Sequence, residues 1–325
     1  MAKLSEYEIL KPQRLVEGDT IGIISPSSAL RPDSTKRGIN FLESLGFKIK
    51  LGKTVTNVFS RGFISASDQM RADEVMEFFE DKEVKAIFTS TGGYGSTRIL
   101  DMLDYEVIKN NPKILMGFSD TTGLQLAIWK KCRLITFSGP TPEMTQSNYD
   151  NDKWSLANAI KILSEGTDSF QLPMPKTMLP RTLGNHDGAV TARLLGGNLT
   201  MICGLLGTDY DPPLKDAILF MEEVNESAYK IEMLLQHLKL AYKLDYLAGA
   251  IIGDFSNIES SGKSNRPSDS DPSIDEILLQ KFSPYRYPIA YGYNFSHGKF
   301  CMTIPQGAKA ALTTPLVEIV EGVVV

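Results

Sequence analysis

Two residue types that often announce chemistry are scarce in this chain of 325 residues, which holds only 3 cysteines and 3 histidines. Cys132, Cys203 and Cys301 are dispersed and odd in number, a pattern that fits neither a disulfide framework nor a zinc knuckle. No two histidines, and no His/Cys pair, share ligand spacing on one element, so metal ligation is not expected. A run of about 18 apolar residues is missing, and with it any helical membrane span. Residues 1–14 lack the apolar stretch of a secretory signal, so the expectation is a cytoplasmic protein. Positive charge is not in excess either. The net charge is −5, which argues against the basic face of a nucleic-acid binder and leaves an anionic small molecule open. Repeats and low-complexity segments are absent.

What remains is a globular composition, 42% hydrophobic and 22% charged, over a length that suits two domains. Short apolar strands at 20–25, 47–51, 84–89, 114–116 and 134–137 alternate with helical patterns at 32–45, 67–79, 99–103 and 122–131. That alternation predicts an α/β fold, a doubly wound parallel sheet ending near residue 140. Residues 141–187 are rich in Pro, Asn, Asp, Ser and Thr and read as a connector with one helix, 154–163. From 188 onward, strands are expected at 188–195, 217–221, 247–252 and 288–295, with helices at 227–240 and 274–282. A polar loop fills 260–272, and the tail, 308–312 and 317–325, reads as β-rich. This second domain, 188–325, is expected to be mixed α+β.

Three groups that could do chemistry stand at strand ends. Ser119 follows the strand 114–116 and precedes an apolar helix, in K-I-L-M-G-F-S-D-T-T. It is either a helix cap or a nucleophile on a sharp strand-to-helix turn. Glu222 and Glu223 follow five apolar residues, and strand alternation allows only one of them to point at a given site. His297 sits just past a strand in a Gly-flanked turn, where a general base could be held, whereas His186 reads as a solvated loop residue and His237 as a helix-surface or satisfied, partly buried one. The glycine turn at 92–95 has neither dinucleotide nor Walker spacing. It is a plain turn, an anion cradle, or an oxyanion hole in which the N–H of Gly93 acts with that of Asp120. A Cys301–His297 dyad is discounted, because four residues of extended chain separate them by about 13 Å.

With these residues together, the sequence resembles the LD-carboxypeptidase (muramoyltetrapeptide carboxypeptidase) family of serine peptidases. The resemblance is carried by G-D-T-I-G-I-I-S-P-S near the start, G-G-Y-G-S-T-R at 92–98 and G-F-S-D-T-T at 117–122. The second half adds L-L-G-G-N-L at 194–199, L-F-M-E-E at 219–223, F-S-H-G and I-P-Q-G within 295–307. It implies a flavodoxin-like N-terminal domain carrying Ser119 as nucleophile, with Glu222 as orienting acid and His297 as base on the C-terminal domain. It also implies an oxyanion hole at the backbone of Gly93 and Asp120, and a homodimer. The implied substrate is a muropeptide tetrapeptide that loses a terminal D-amino acid. The microcin-C immunity proteins share fold and triad but cleave a peptidyl-nucleotide, and they form the alternative; a non-catalytic two-domain binding protein is a second. Thr91 stands where the family often has Arg, while Tyr94, Arg98 and Y-K-I-E at 229–232 look more like the cell-wall branch.

Overall fold

The computed structural model describes residues 8–30, 34–56, 63–144, 148–258, 272–295 and 297–325. Most of the polar loop read at 260–272, and Ser296 of the F-S-H-G motif, lie outside the described residues. The first region runs β1 (Thr20–Ile24), α1 (Lys36–Ser44), β2 (Lys48–Leu51), α2 (Lys53–Thr56), α3 (Asp68–Glu80) and β3 (Val84–Thr89). A 3-10 helix (Ser96–Met102), α4 (Tyr105–Asn110), β4 (Ile114–Gly117), α5 (Thr121–Cys132) and β5 (Thr136–Ser138) complete it. Its five strands are parallel in the order β2-β1-β3-β4-β5, the doubly wound arrangement that the alternation predicts. The helix expected through Leu103 winds instead as a 3-10 turn, which ends where the Asp104 side chain caps α4 at the N–H groups of Glu106 and Val107.

The stretch 141–187 holds α6 (Tyr149–Glu165) and two short strands, β6 (Phe170–Gln171) and β7 (Arg181–Thr182), which become the edges of a second sheet. Then follow β8 (Ala189–Asn198), α7 (Leu199–Gly204), β9 (Ala217–Val224), α8 (Ala228–Leu240), β10 (Gly249–Ser256), α9 (Ile274–Phe282) and β11 (Ile289–Tyr293). The chain closes with β12 (Ile304–Gln306), β13 (Lys309–Thr313) and β14 (Leu316–Ile319). The second sheet has the order β6-β14-β13-β8-β9-β10-β11-β7. Its centre, β8 to β11, is parallel and its flanks antiparallel, so it is mixed. The tail stops being strand after Ile319. There the N–H of Val323 turns to Gly166 O and that of Val325 to Pro12 O, so the last residues close onto loops and add no strand.

Two features join the halves. β12 pairs antiparallel with β5, so the first sheet ends on a strand from near the C-terminus. α5 packs against β4 and β5 on one side and against β8 and α7 on the other. Ten of its 12 residues are buried, because a helix between two sheets has no face left for water. Its Leu124, Leu126 and Ile128 each contribute about 2 kcal/mol of apolar burial. Thr122 Oγ1, in the first turn of α5, accepts the N–H of Asn198 at the end of β8, at 3.0 Å. Gly196 N–H donates to Gln306 Oε1 at 2.8 Å. These bonds bring the C-terminal ends of the parallel strands of both sheets to one cleft, where open α/β sheets place their ligands.

Candidate active site

Ser119 stands two residues beyond β4 with φ 60°, a left-handed conformation that costs a non-glycine residue about 1 kcal/mol. Such a turn lifts the side chain above the sheet edge. The next residue holds the strained turn in place. Asp120 is buried, and its Oδ2 accepts hydrogen bonds from Ser27 Oγ at 2.5 Å and Ser96 N–H at 2.7 Å. Ser96 Oγ in turn donates to the Asp120 carbonyl at 2.6 Å. The carboxylate of Asp120 thereby ties the loop after β1 and the start of the 3-10 helix to the start of α5, a role its place in the sequence does not reveal.

The glycine turn packs directly on this elbow. A Cβ on Gly92 would fall 2.8 Å from the Ser119 Cβ, so only glycine lets the two turns approach. Gly93 has φ +98°, and a Cβ there would meet Ser28 Oγ at 2.0 Å. Ser28 N–H donates to Gly92 O, and Tyr94 N–H to Ser28 Oγ at 3.1 Å. Among the described residues, the N–H groups of Gly93 and Asp120 donate to no protein acceptor. Beneath the turn lies Arg71, wholly buried, whose Nη1 donates to Pro26 O and to Gly95 O while its Nη2 pairs with Asp68. Arg98 also pairs with Asp68 through a two-pronged contact, and Tyr94 is exposed against the edge of Phe63. Thr91 Oγ1 donates to Glu143 Oε2 at 2.9 Å.

His297 and Glu222 meet across the C-terminal region. Nδ1 of the imidazole lies 2.9 Å from Glu222 Oε2, and the carboxylate is 2% exposed. Glu223 points the other way, as alternation requires. It accepts from Asn198 Nδ2, Thr200 N–H, Thr200 Oγ1 and Val224 N–H, and so fastens the start of α7. The His297 ring packs against Phe118, next to Ser119, with centroids 4.9 Å apart. No hydrogen bond joins Ser119 Oγ to the imidazole among the described residues; such bonds often tighten only when substrate is bound. A cavity of about 200 Å³ opens beside the ring, lined among others by Phe118, Glu143, Asp152, Lys299 and Cys301.

The other candidates sort as follows. His186 is not the solvated loop residue expected from its polar surroundings. It is buried, with Nδ1 3.2 Å from Tyr287 O, because its loop hydrogen-bonds to β11 at Ile289. His237 lies on the exposed side of α8. Burial pushes the Cys301 thiol well above its ordinary range, which makes it a poor nucleophile. Among the described residues no group of three or more His, Cys, Asp or Glu could hold a metal ion, and no helix is long and apolar enough to cross a membrane. Beyond the expected residues, the structure adds Ser27, Ser96 and Arg71. Only the four serines of S-P-S-S after β1 and G-S in the glycine turn hinted at this polar network.

Two family profiles match the chain, the LD-carboxypeptidase N-terminal domain over residues 21–139 and the LD-carboxypeptidase C-terminal domain over residues 191–312. A probable murein peptide carboxypeptidase of Bacillus subtilis (strain 168) is 32% identical over 94% of this chain and 92% of its own length. The microcin C7 self-immunity protein MccF, known from Escherichia coli, has been solved with glutamyl sulfamoyl guanosine. That structure superposes with TM-score 0.84 at 27% identity, over 97% of this chain and 100% of the other. A muramoyltetrapeptide carboxypeptidase from Oxalobacter formigenes gives TM-score 0.78 at 25% identity, over 94% and 100% of the two chains.

Proposed function

This chain belongs to the LD-carboxypeptidase family, and from that premise we propose that it is a cytoplasmic serine carboxypeptidase acting on muropeptides. It would cleave the amide between an L-centre and a terminal D-amino acid, through Ser119, His297 and Glu222. The observation that carries this reading is the buried Glu222 carboxylate 2.9 Å from His297 Nδ1, beside a serine strained into a left-handed turn. An N–H at Nδ1 donated to Glu222 leaves Nε2 with a free lone pair. Nε2 takes the Ser119 proton as Oγ bonds to the scissile carbonyl carbon, and the oxygen becomes an oxyanion. The N–H groups of Gly93 and Asp120 are the donors for that charge. The C–N bond then breaks, the imidazolium gives its proton to the departing nitrogen, and water hydrolyses the acyl-enzyme by the same path. No step calls on a cofactor. The division into residues 1–140, a connector 141–187 and 188–325 belongs to this proposal, as does assembly into a homodimer.

A second reading is favoured by one finding, the likeness to MccF, whose solved complex contains a sulfamoyl nucleotide. In that case the substrate is a peptidyl-nucleotide. Incubating the protein with a muropeptide tetrapeptide and with a processed microcin separates the two, and cleavage of the second alone overturns our choice. Ser119→Ala is the control against a non-catalytic binding protein. Turnover should fall on the order of 10⁴–10⁶-fold with folding intact, and an unchanged rate rules out the triad.

A further inference from the structure

The proton path limits how a substrate can lie. The imidazole that takes the Ser119 proton must return it to the departing nitrogen, so the leaving residue lies on the imidazole's side of the scissile bond. There the cavity opens, walled by His297 and Phe118. At about 200 Å³ it is smaller than the roughly 300–1,000 Å³ of a drug-sized ligand pocket, which suits one small residue better than a nucleotide.

Its charges are of both signs. Lys299, two residues past His297, lines it and makes no ion pair among the described residues; its ammonium lies 5.8 Å from the centre of the Phe300 ring. Two carboxylates, Glu143 and Asp152, line it as well. Glu143 accepts from Thr91 Oγ1, and Asp152 Oδ1 accepts from Asn148 Nδ2 at 2.6 Å. Asn148 Nδ2 also donates to Lys299 O at 3.1 Å, which fastens the lysine's turn to the start of α6.

We propose that this cavity binds the departing amino acid as a small zwitterion, Lys299 pairing with its α-carboxylate and Glu143 and Asp152 attracting the ammonium formed as the C–N bond breaks. The assignment rests on the carboxypeptidase reading above and supplies what it lacks, a cation for the substrate's free carboxylate. When the bond breaks, the nitrogen receives one proton from the His297 imidazolium and a second from water. The product thus gains a positive charge beside the two acids only after cleavage. A terminal carboxamide forfeits the Lys299 pair, and a nucleotide leaving group neither fits the cavity nor carries that carboxylate.

The test compares an acyl-L-lysyl-D-alanine peptide with its C-terminal carboxamide, in the wild type, Lys299→Met and Lys299→Arg. The wild type should favour the free acid by at least about 10-fold in kcat/KM, Lys299→Met should bring acid and amide level, and Lys299→Arg should restore most of the preference. Binding of free D-alanine, followed by ligand-observed NMR, should be seen in the wild type and lost in Lys299→Met. If the acid preference and D-alanine binding both survive Lys299→Met, the cavity assignment falls while the triad stands. If the wild type cleaves neither peptide yet binds D-alanine through Lys299, the carboxypeptidase reading falls and the cavity assignment stands.

Discussion

The turn that carries Ser119 and the turn that carries His297 face the same cleft but are built on opposite plans. The serine turn is strained and held from every side. Asp120 receives two donors, Arg71 fastens two carbonyls beneath it, and Gln125 Nε2 donates to Gly117 O at 3.0 Å and Phe137 O at 2.7 Å to secure the strand ends. Its geometry is set in the folding of the first sheet. Among the described residues the histidine ring has one polar anchor, Glu222, and the side chain remains 21% exposed. In the proposed reaction a nucleophile that must meet a carbonyl at one angle would gain from rigidity, whereas a base that moves a proton between two partners would gain from a little freedom. The comparison makes a prediction for each half.

The largest effect is expected at Glu222. Glu222→Gln can present an amide N–H to Nδ1 and so favours the wrong tautomer, and kcat should fall by about 10⁴-fold with little change in the denaturation midpoint. Glu223→Gln should do the reverse. It disturbs three hydrogen bonds at the start of α7 and one to the Val224 N–H, which costs about 1–3 kcal/mol of stability, while kcat stays within a few-fold. Steady-state kinetics and chemical denaturation on both variants decide it. Equal losses of turnover would mean that the adjacent acids are not divided between catalysis and structure.

The next effect concerns the rigid half. In Gly93→Ala the new Cβ collides with Ser28, and the turn must move while φ stays positive at a cost of about 1–2 kcal/mol. If the Gly93 N–H is an oxyanion donor, its displacement should lower kcat by roughly 10²-fold and leave KM nearly unchanged. A fall in thermal stability with normal kcat would reduce the glycine to a packing role.

These contrasts also show what a sequence makes legible. Strand and helix periods run through the first sheet because parallel strands buried on both faces are continuous apolar segments, and Ile114, Leu115 and Met116 read that way at once. Alternation likewise predicted that Glu222 and Glu223 would part company. The partners of Asp120 could not be read, since Ser27 and Ser96 lie 93 and 24 residues from it and only the fold brings them together. The same holds for β12, which leaves its own neighbours to pair with β5. His186 was misread because local polarity says nothing of which strand a loop closes against. Local pattern reports burial and period, while long-range polar pairing depends on topology.

The smallest effect lies under the histidine turn. Asp254, near the end of β10, accepts from Asn294 Nδ2 at 2.6 Å and packs so closely on Gly298 that a Cβ there would fall 2.1 Å from its Oδ2. Burial raises its carboxyl above the usual carboxylate range; the Asn294 bond works against this, and the charge of Glu222 adds to it. In the window between the ordinary value of about 4 and the raised one, the folded protein keeps a proton that the unfolded chain has released. Stability contributed by Asp254 is therefore greatest at acid pH and is lost as pH rises through that window. Asp254→Asn retains a carbonyl for Asn294 and cannot titrate, so its denaturation midpoint should lose that component of the decline and exceed the wild type at neutral pH. Glu74 and Glu226 are raised in the same direction by burial, so the informative quantity is the difference between wild type and variant at each pH. A difference constant from pH 4 to 7 would show that Asp254 holds the turn by shape alone, and that the looser half of the site is not pH-sensitive through this carboxyl.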